Sequence, residues 1–214
     1  MSQAVPTYHQ RVAQEKRALI VTAATALFLE SGYDRTSLAR IAERSGVSRA
    51  TLFKQFPSKA ALFDAIVTES WSRADEKDPP PAGNVIGGLG IIGRRYAELL
   101  SRPQMTDLFR IVIAELPRFP ELAHAQFAHG KMPYFESVRG YLMAEHEAGT
   151  VRIEDPELAA TQFLGMISNY VFWPTLLLPD WKVSTERVTQ VVDEAARTMA
   201  ARYASTGPRS STND

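Results

Sequence analysis

The stretch Thr36-Ser-Leu-Ala-Arg-Ile-Ala-Glu-Arg-Ser-Gly-Val-Ser-Arg-Ala-Thr-Leu-Phe-Lys-Gln-Phe56 has a local logic that ordinary helical hairpins rarely satisfy all at once. Apolar residues return at helical spacing on either side of Gly46, so two short helices are predicted, near Leu38 to Ser45 and Arg49 to Gln55. Gly46 can take the left-handed backbone that a tight turn between them needs. Ala42 is small where one helix must let the other approach, and Ile41, Val47 and Leu52 close a miniature core. Ser48 can cap the second helix, with Val47 and Leu52 spaced as its hydrophobic staple. Arg49, Ala50, Thr51, Lys54 and Gln55 are left facing outward, near the end of a helix that would enter the major groove of double-stranded DNA.

The charge distribution points the same way. Over the whole chain 24 Lys and Arg balance 24 Asp and Glu, but residues 1–60 hold nine basic against four acidic side chains. A basic end on an acidic body can present one end to phosphates while the other is repelled. There is no cysteine, which excludes disulfides and thiolate metal sites and suits a reducing compartment. Met1 to Gln10 is polar, without the apolar centre of a signal peptide. The longest apolar stretches, Val85 to Gly93 and Val171 to Pro179, fall short of the roughly 18 residues of a membrane span. A soluble, cytoplasmic protein with no membrane partner is expected.

Ala, Leu, Glu and Arg are abundant and alternating runs are missing, so the chain is predicted to be all-α. Beyond the two short helices, the periodicity predicts helices near residues 12–30, 59–75, 85–101, 104–116, 121–129, 133–148, 157–177 and 185–205. Asp78-Pro-Pro-Pro-Ala-Gly83 cannot continue a helix and is the one obvious linker. Asp155-Pro156 and Ser184 are start signals for the last two helices. The tail, residues 207–214, is expected to be disordered.

With Phe28, Gly32, Thr36-Ser37, Ile41-Ala42, Gly46-Val47-Ser48, Thr51-Leu52, Phe56 and Ser58-Lys59 in order, residues 12–67 resemble the TetR family of bacterial regulators. The run Leu108 to Ala123, and Gly149 to Arg152 with Asp155-Pro156, is similar to the AefR-like C-terminal domain within that family. The resemblance implies a three-helix, helix-turn-helix DNA-binding domain over residues 1–60. A fourth helix would join it to a larger helical ligand-binding and dimerisation domain over residues 61–206. It also implies a repressor that binds a palindromic operator as a homodimer and is released by a small-molecule effector.

Three positions depart from the family pattern: Ala50 stands where Gly is common, Phe53 where a Tyr hydroxyl usually binds phosphate, and Gln55 where His or Tyr is common. The expected DNA contacts are Thr36, Ser37, Ser48, Arg49, Ala50, Thr51, Lys54, Gln55 and Lys59. Arg49 and Gln55 are the candidates for base readout, and Ser37, Thr51, Lys54 and Lys59 those for the backbone. Arg11, Lys16 and Arg17 are open between an arm on DNA and ordinary surface.

A regulator of this kind needs a largely apolar cavity with a few polar handles. Trp71, Met105, Phe109, Ile113, Phe127, Met132, Phe135, Phe163, Met166, Tyr170 and Trp173 fall on or beside predicted helices, while Gln162, Asn169 and Tyr170 could orient a ligand. The same stripes are also what a plain core looks like. No charged residue occurs from Leu158 to Pro179, which favours an apolar or aromatic ligand. For a dimer built on two-fold related half-sites, Leu164, Ser168 and Val171 on one helix and Val188, Val191, Ala195 and Met199 on the next would form a four-helix bundle. An intrachain core is the other reading of these residues.

Gly88-Leu-Gly90-Ile-Ile-Gly93 matches the dinucleotide fingerprint of nicotinamide-dependent enzymes, but that fingerprint needs a strand before it and a parallel sheet around it. His124, His129 and His146 are too scattered for a metal site. No catalytic set is present, and neither cofactor nor metal is expected. The competing reading is a DNA-binding activator, or a regulator worked by a protein partner without a small ligand.

Overall fold

The computed structural model describes residues 7–75, 78–178 and 180–205. Among these residues the elements are α1 (Tyr8–Ser31), α2 (Leu38–Ser45), α3 (Arg49–Gln55), α4 (Lys59–Asp75), α5 (Val85–Leu100), α6 (Pro103–Glu115) and α7 (Pro120–Ala125), then a π-helical turn (Gln126–Lys131), α8 (Met132–Glu147), α9 (Pro156–Val171), α10 (Trp173–Leu177) and α11 (Thr185–Arg202). The fold is all-α as expected, and the only β pairing among the described residues is an isolated bridge between Val151 and Ala204.

The helices begin where the sequence supplies an acceptor for their free N–H groups. Ser37, Ser48, Asn84, Asp155 and Ser184 each accept a hydrogen bond from the backbone N–H three residues on. The first helix starts earlier than its apolar stripe suggests, because Thr7 and Gln10 form a reciprocal capping box ahead of it. The helix expected over residues 157–177 is interrupted at Phe172. Pro174 has no N–H to give the carbonyl of Tyr170, and the chain restarts as α10. The last helix stops at Arg202, beyond which the carbonyl of Tyr203 accepts from Arg152 N at 2.7 Å. The tail 207–214 lies outside the described residues.

The chain divides into two compact units, one of Met1–Ser70 with Asp107–Gly130 and one of Trp71–Thr106 with Lys131–Asp214. In the first, Ile20 and Ala24 of α1, Ile41 of α2, Leu52 of α3 and Leu62 of α4 are fully buried. Their aromatic centre is Phe28, Tyr33 and Phe63, with ring centroids 5.1 to 6.2 Å apart. In the second unit α5 packs against α8, α9 and α11. Two glycines permit this. A Cβ on Gly93 would stand 2.7 Å from Val192 Cγ1 and 3.0 Å from Ile167 Cδ1, and one on Gly88 would run into the hydroxyl of Tyr141. The Gly88 to Gly93 run therefore serves close helix packing inside α5, with no strand before it among the described residues, and the dinucleotide reading fails.

The second unit also contains a fully buried carboxylate, Glu145 near the end of α8. It accepts from the hydroxyls of Tyr141 and Thr150 and, at 3.0 Å, from Gly83 N. Burial alone would push this carboxyl up. The bonds from Thr150, Tyr141 and the backbone N–H groups of Gly83 and Asn84 overcome burial and hold it below its usual range. The carboxylate thus fastens the segment before α5 to the end of α8.

Glu145→Gln keeps the shape but turns an NH2 toward groups that donate, and is expected to destabilise by about 2 kcal/mol, lowering Tm by roughly 4–8 °C for a chain of this size. Because the folded pKa is depressed, the wild-type contribution is present above the ordinary glutamate value near ~4.3 and is lost as pH falls through the folded value. Thermal melts at neutral and acid pH should show the variant losing less on acidification than the wild type.

Candidate nucleic-acid interface

The turn after α2 is closed by Gly46, whose φ of 67° is left-handed, with its N–H directed at the carbonyls of Ala42 and Glu43 and with Val47 N on Ala42 O at 3.2 Å. Ile41, Ala42 and Leu52 are buried beneath it and Val47 is half-buried. Ser48 then starts α3, its Oγ accepting from Thr51 N at 3.1 Å and lying 2.9 Å from Thr51 Oγ1. With Leu52 anchoring the inner side, α3 presents Arg49, Ala50, Phe53 and Lys54 to solvent. Residues four apart share a helix face, so these make one continuous outer surface. Thr51 and Gln55 are half-buried at its edge, and Ser37, the cap of α2, is exposed. Phe53, which the sequence marks only by its missing hydroxyl, adds a ring that is 52% exposed to this surface.

Two expected contacts belong elsewhere. Thr36 is buried, with its Oγ1 3.2 Å from Leu27 O and 2.8 Å from Gly32 O. Lys59 is half-buried, and its Nζ donates to the carbonyls of Tyr33 at 2.7 Å, Thr36 at 3.1 Å and Asp34 at 3.3 Å. An ammonium has three N–H donors, and three carbonyls occupy them. Both residues hold the turn between α1 and α2 rather than present themselves to a phosphate. Burial draws the Lys59 pKa down, opposed by the carboxylates of Asp34, Glu115 and Glu121. Tyr33, whose ring lies 4.2 Å from that ammonium, is pushed up to about 12 by its own burial, with the nearby carboxylates adding to it.

The same turn is gripped by residues that the sequence did not single out. Glu115 Oε1 accepts from Asp34 N at 3.2 Å, Arg118 pairs with Asp34 at 2.7 Å, and the Phe119 ring meets Tyr33 edge-on at 5.1 Å. An expected boundary at residue 60 separates these partners, whereas the packing groups Asp107–Gly130 with the reading helices. Among the other basic residues, Arg44 makes a two-point pair with Glu30, and the guanidinium of Arg17 lies 4.5 Å over the Phe56 ring.

The expected ligand residues are divided between the two units. Phe109, Ile113 and Phe127 belong to the first unit and the remainder to the second. Trp71, Met105, Phe135 and Phe163 are buried, Met166 and Tyr170 half-buried, and Ile113, Gln162, Asn169 and Trp173 exposed. Phe163 packs into the space beside Gly93, and Gln162 accepts from Tyr203 Oη at 2.9 Å. The second unit has an open cleft of 490 Å³ between α5 and the start of α11, bordered by Arg94, Glu98, Trp181 and Thr189 and by none of the expected ligand residues. Of the expected dimer residues, Leu164, Val171, Ala195 and Met199 are already buried within the chain. The α11 stripe runs through Val192, Ala195 and Met199 and packs on α5 and α9, which leaves Ser168, Val188 and Val191 half-buried at its margin. Among the described residues no helix is long and apolar enough to cross a membrane, and no group of three His, Asp or Glu could hold a metal ion.

Residues 20–66, which contain both short helices, match the bacterial regulatory proteins of the tetR family, and residues 87–205 match the C-terminal domain of the AefR-like transcriptional repressors. The chain belongs to the TetR family. It is similar to the HTH-type transcriptional repressor KstR of Rhodococcus jostii, 29% identical over 96 residues that make up 44% of this chain and 45% of KstR, so under half of that relative's length is matched. A crystal structure from Mesorhizobium loti assigned to the TetR family superposes with a TM-score of 0.76 at 27% identity, covering 90% of this chain and 98% of the other. The flavonoid-responsive regulator FrrA superposes equally well, at 26% identity over 91% of this chain and 100% of its own. As a TetR-family protein the chain is a DNA-binding transcriptional regulator, and this family consists of regulators rather than enzymes.

For this regulator, Lys59→Ala leaves carbonyls of the α1–α2 turn without donors and is expected to lower stability by about 1–2 kcal/mol, a Tm loss of roughly 2–8 °C. Lys54→Ala, on the exposed face of α3, is expected to leave Tm within about 1 °C. Differential scanning calorimetry of the two variants checks the distinction, which equal losses would erase.

Proposed function

We propose that this TetR-family regulator is a repressor that binds a palindromic operator as a homodimer and leaves it when a small apolar or aromatic effector binds the AefR-like region. The observation that carries the reading is the outer surface of α3, where Arg49, Ala50, Phe53 and Lys54 are exposed on a helix anchored by Leu52. Arg49 and Gln55 are the candidates for base edges, Ser37, Ser48, Thr51 and Lys54 those for phosphates, and Ala50 and Phe53 offer apolar contact to thymine methyl groups.

Dimerisation is favoured because α3 has only seven residues, and pairing two such readers on half-sites multiplies a limited affinity. Leu158, Trp173 and Leu177, 49%, 48% and 71% exposed, supply apolar surface for it in the second unit. Repression is supported by the naming of KstR and of the AefR-like domain. An aromatic effector is supported by the charge-free run from Leu158 to Pro179 and by the flavonoid response in the name of FrrA. In sequence α4 runs from the first unit into the second. A shift of α4 on effector binding would change the separation of the paired readers, and as a reader of operator DNA the protein works in the cytoplasm.

Footprinting on the DNA flanking its own gene, with and without the flavanone naringenin, tests the reading. A protected palindrome that naringenin uncovers is the expected result. A molecule that binds tightly without changing operator affinity would remove effector release, because a ligand with equal affinity for two states cannot shift them. Lys54→Ala should weaken binding to all sequences and reduce the salt slope by about 1. Arg49→Ala and Gln55→Ala should instead change sequence preference, and uniform weakening by all three would overturn the division of roles.

A further inference from the structure

Gln126 follows α7 at the first position of the π-helical turn, and its side chain is 4% exposed. Neither its Oε1 nor its Nε2 has a hydrogen-bond partner. A buried amide without partners is penalised, and leucine or methionine would fill the same volume without that penalty. The backbone around it is also unusual. A turn of i→i+5 bonds is rare, often sits at functional sites, and here begins at the residue whose amide is unsatisfied. Two observations of different kind, one on the side chain and one on the backbone, therefore fall on one residue within the matched AefR-like region.

We propose that Gln126 is the polar contact of the effector site and that it selects neutral hydroxylated aromatic molecules over acids and amines. This rests on the reading that an effector governs DNA binding. The chemistry follows from the amide itself, which presents an acceptor and a donor side by side. A carboxylate would satisfy Nε2 but face Oε1 with like partial charge, and an ammonium would do the reverse. A phenol hydroxyl donates and accepts and can meet either end, and a hydroxyl next to a ketone can meet both. The ionisable side chains nearest in sequence, Glu121, His124, His129 and Lys131, are exposed, so the segment itself supplies no buried charge to neutralise an ionic ligand.

The test uses the full chain and naringenin, with unsubstituted flavanone as the same ring system lacking hydroxyls, and benzoate and benzylamine as charged probes. Binding is measured by calorimetry near neutral pH on the wild type, Gln126→Leu and Gln126→Met, with melting curves to establish that each variant folds. The wild type is expected to bind naringenin and not the charged probes, and both variants to bind it about tenfold or more weakly. Flavanone, which keeps only the ketone acceptor, should lose less affinity than naringenin in the two variants, and Tm in Gln126→Leu should hold or rise, since an unpaired amide has been removed. Equal binding of naringenin by wild type and folded variants, no binding by the wild type, or preference for a charged probe would overturn the assignment. Footprinting separates the two readings. If naringenin binds through Gln126 yet leaves the footprint intact, effector release fails and the site stands. If it uncovers the operator in wild type and variants alike, release stands and Gln126 is not the contact.

Discussion

Three carbonyls of the turn between α1 and α2 converge on the ammonium of Lys59, and the orientation of the reading helices depends on that convergence. The turn lies outside any helix, and although the Tyr33 carbonyl also accepts from Thr36 N at 3.2 Å, those of Asp34 and Thr36 need donors from elsewhere. Lys59 is the first residue of α4, a position where the helix dipole disfavours a cation. The three carbonyls and the Tyr33 ring outweigh that, and the result is mechanical. The first turn of α4 and the turn that leads into α2 are joined through one side chain, so a displacement of the start of α4 is felt directly by the helices that read DNA.

The grip from Glu115, Arg118 and Phe119 acts on the same turn but is unequal in its parts. The Arg118–Asp34 pair has both side chains largely or partly exposed, and such pairs contribute about 0–1 kcal/mol. The ring of Phe119 against the buried Tyr33, together with the bond from Asp34 N to Glu115, carries more of the attachment. Asp34 consequently has its backbone N–H, its carbonyl and its carboxylate all engaged, each by a different side chain. A turn held at this many points is a rigid mount for the short helices that follow.

The all-α fold and the helix-turn-helix were legible because their signals are local: Gly46 for the turn, Ser48 for the cap, and the apolar spacing of Ile41, Val47 and Leu52. The break at Phe172 was equally local, through Pro174, but the apolar run across it masked the missing donor. Partners far apart in sequence were not legible. Nothing in Leu116-Pro-Arg-Phe-Pro120 says that its aromatic ring meets Tyr33, and a lysine next to a helix-turn-helix looks the same from sequence whether it faces phosphate or carbonyls. Apolar stripes show that a helix has a buried face but not what buries it. For that reason Leu164, Ala195 and Met199 could be assigned to a dimer although they are already buried within one chain.

The buried polar groups follow a physical order that bears on which of them are available to a ligand. Glu145 is charged and fully buried, and it is surrounded by donors; Lys59 is charged and half-buried, and its donors are occupied. The buried side-chain atoms without partners among the described residues, Trp71 Nε1 and the two ends of Gln126, are neutral. This ordering is what desolvation demands. An uncompensated buried charge costs several times what an unpaired amide or indole N–H costs, so a fold of marginal stability must satisfy its charges internally. Neutral groups are the ones it can leave open. Specificity that depends on an incoming molecule completing a buried hydrogen bond is therefore open to neutral groups such as Gln126, while Lys59 in the first unit and Glu145 in the second each hold their own unit's frame.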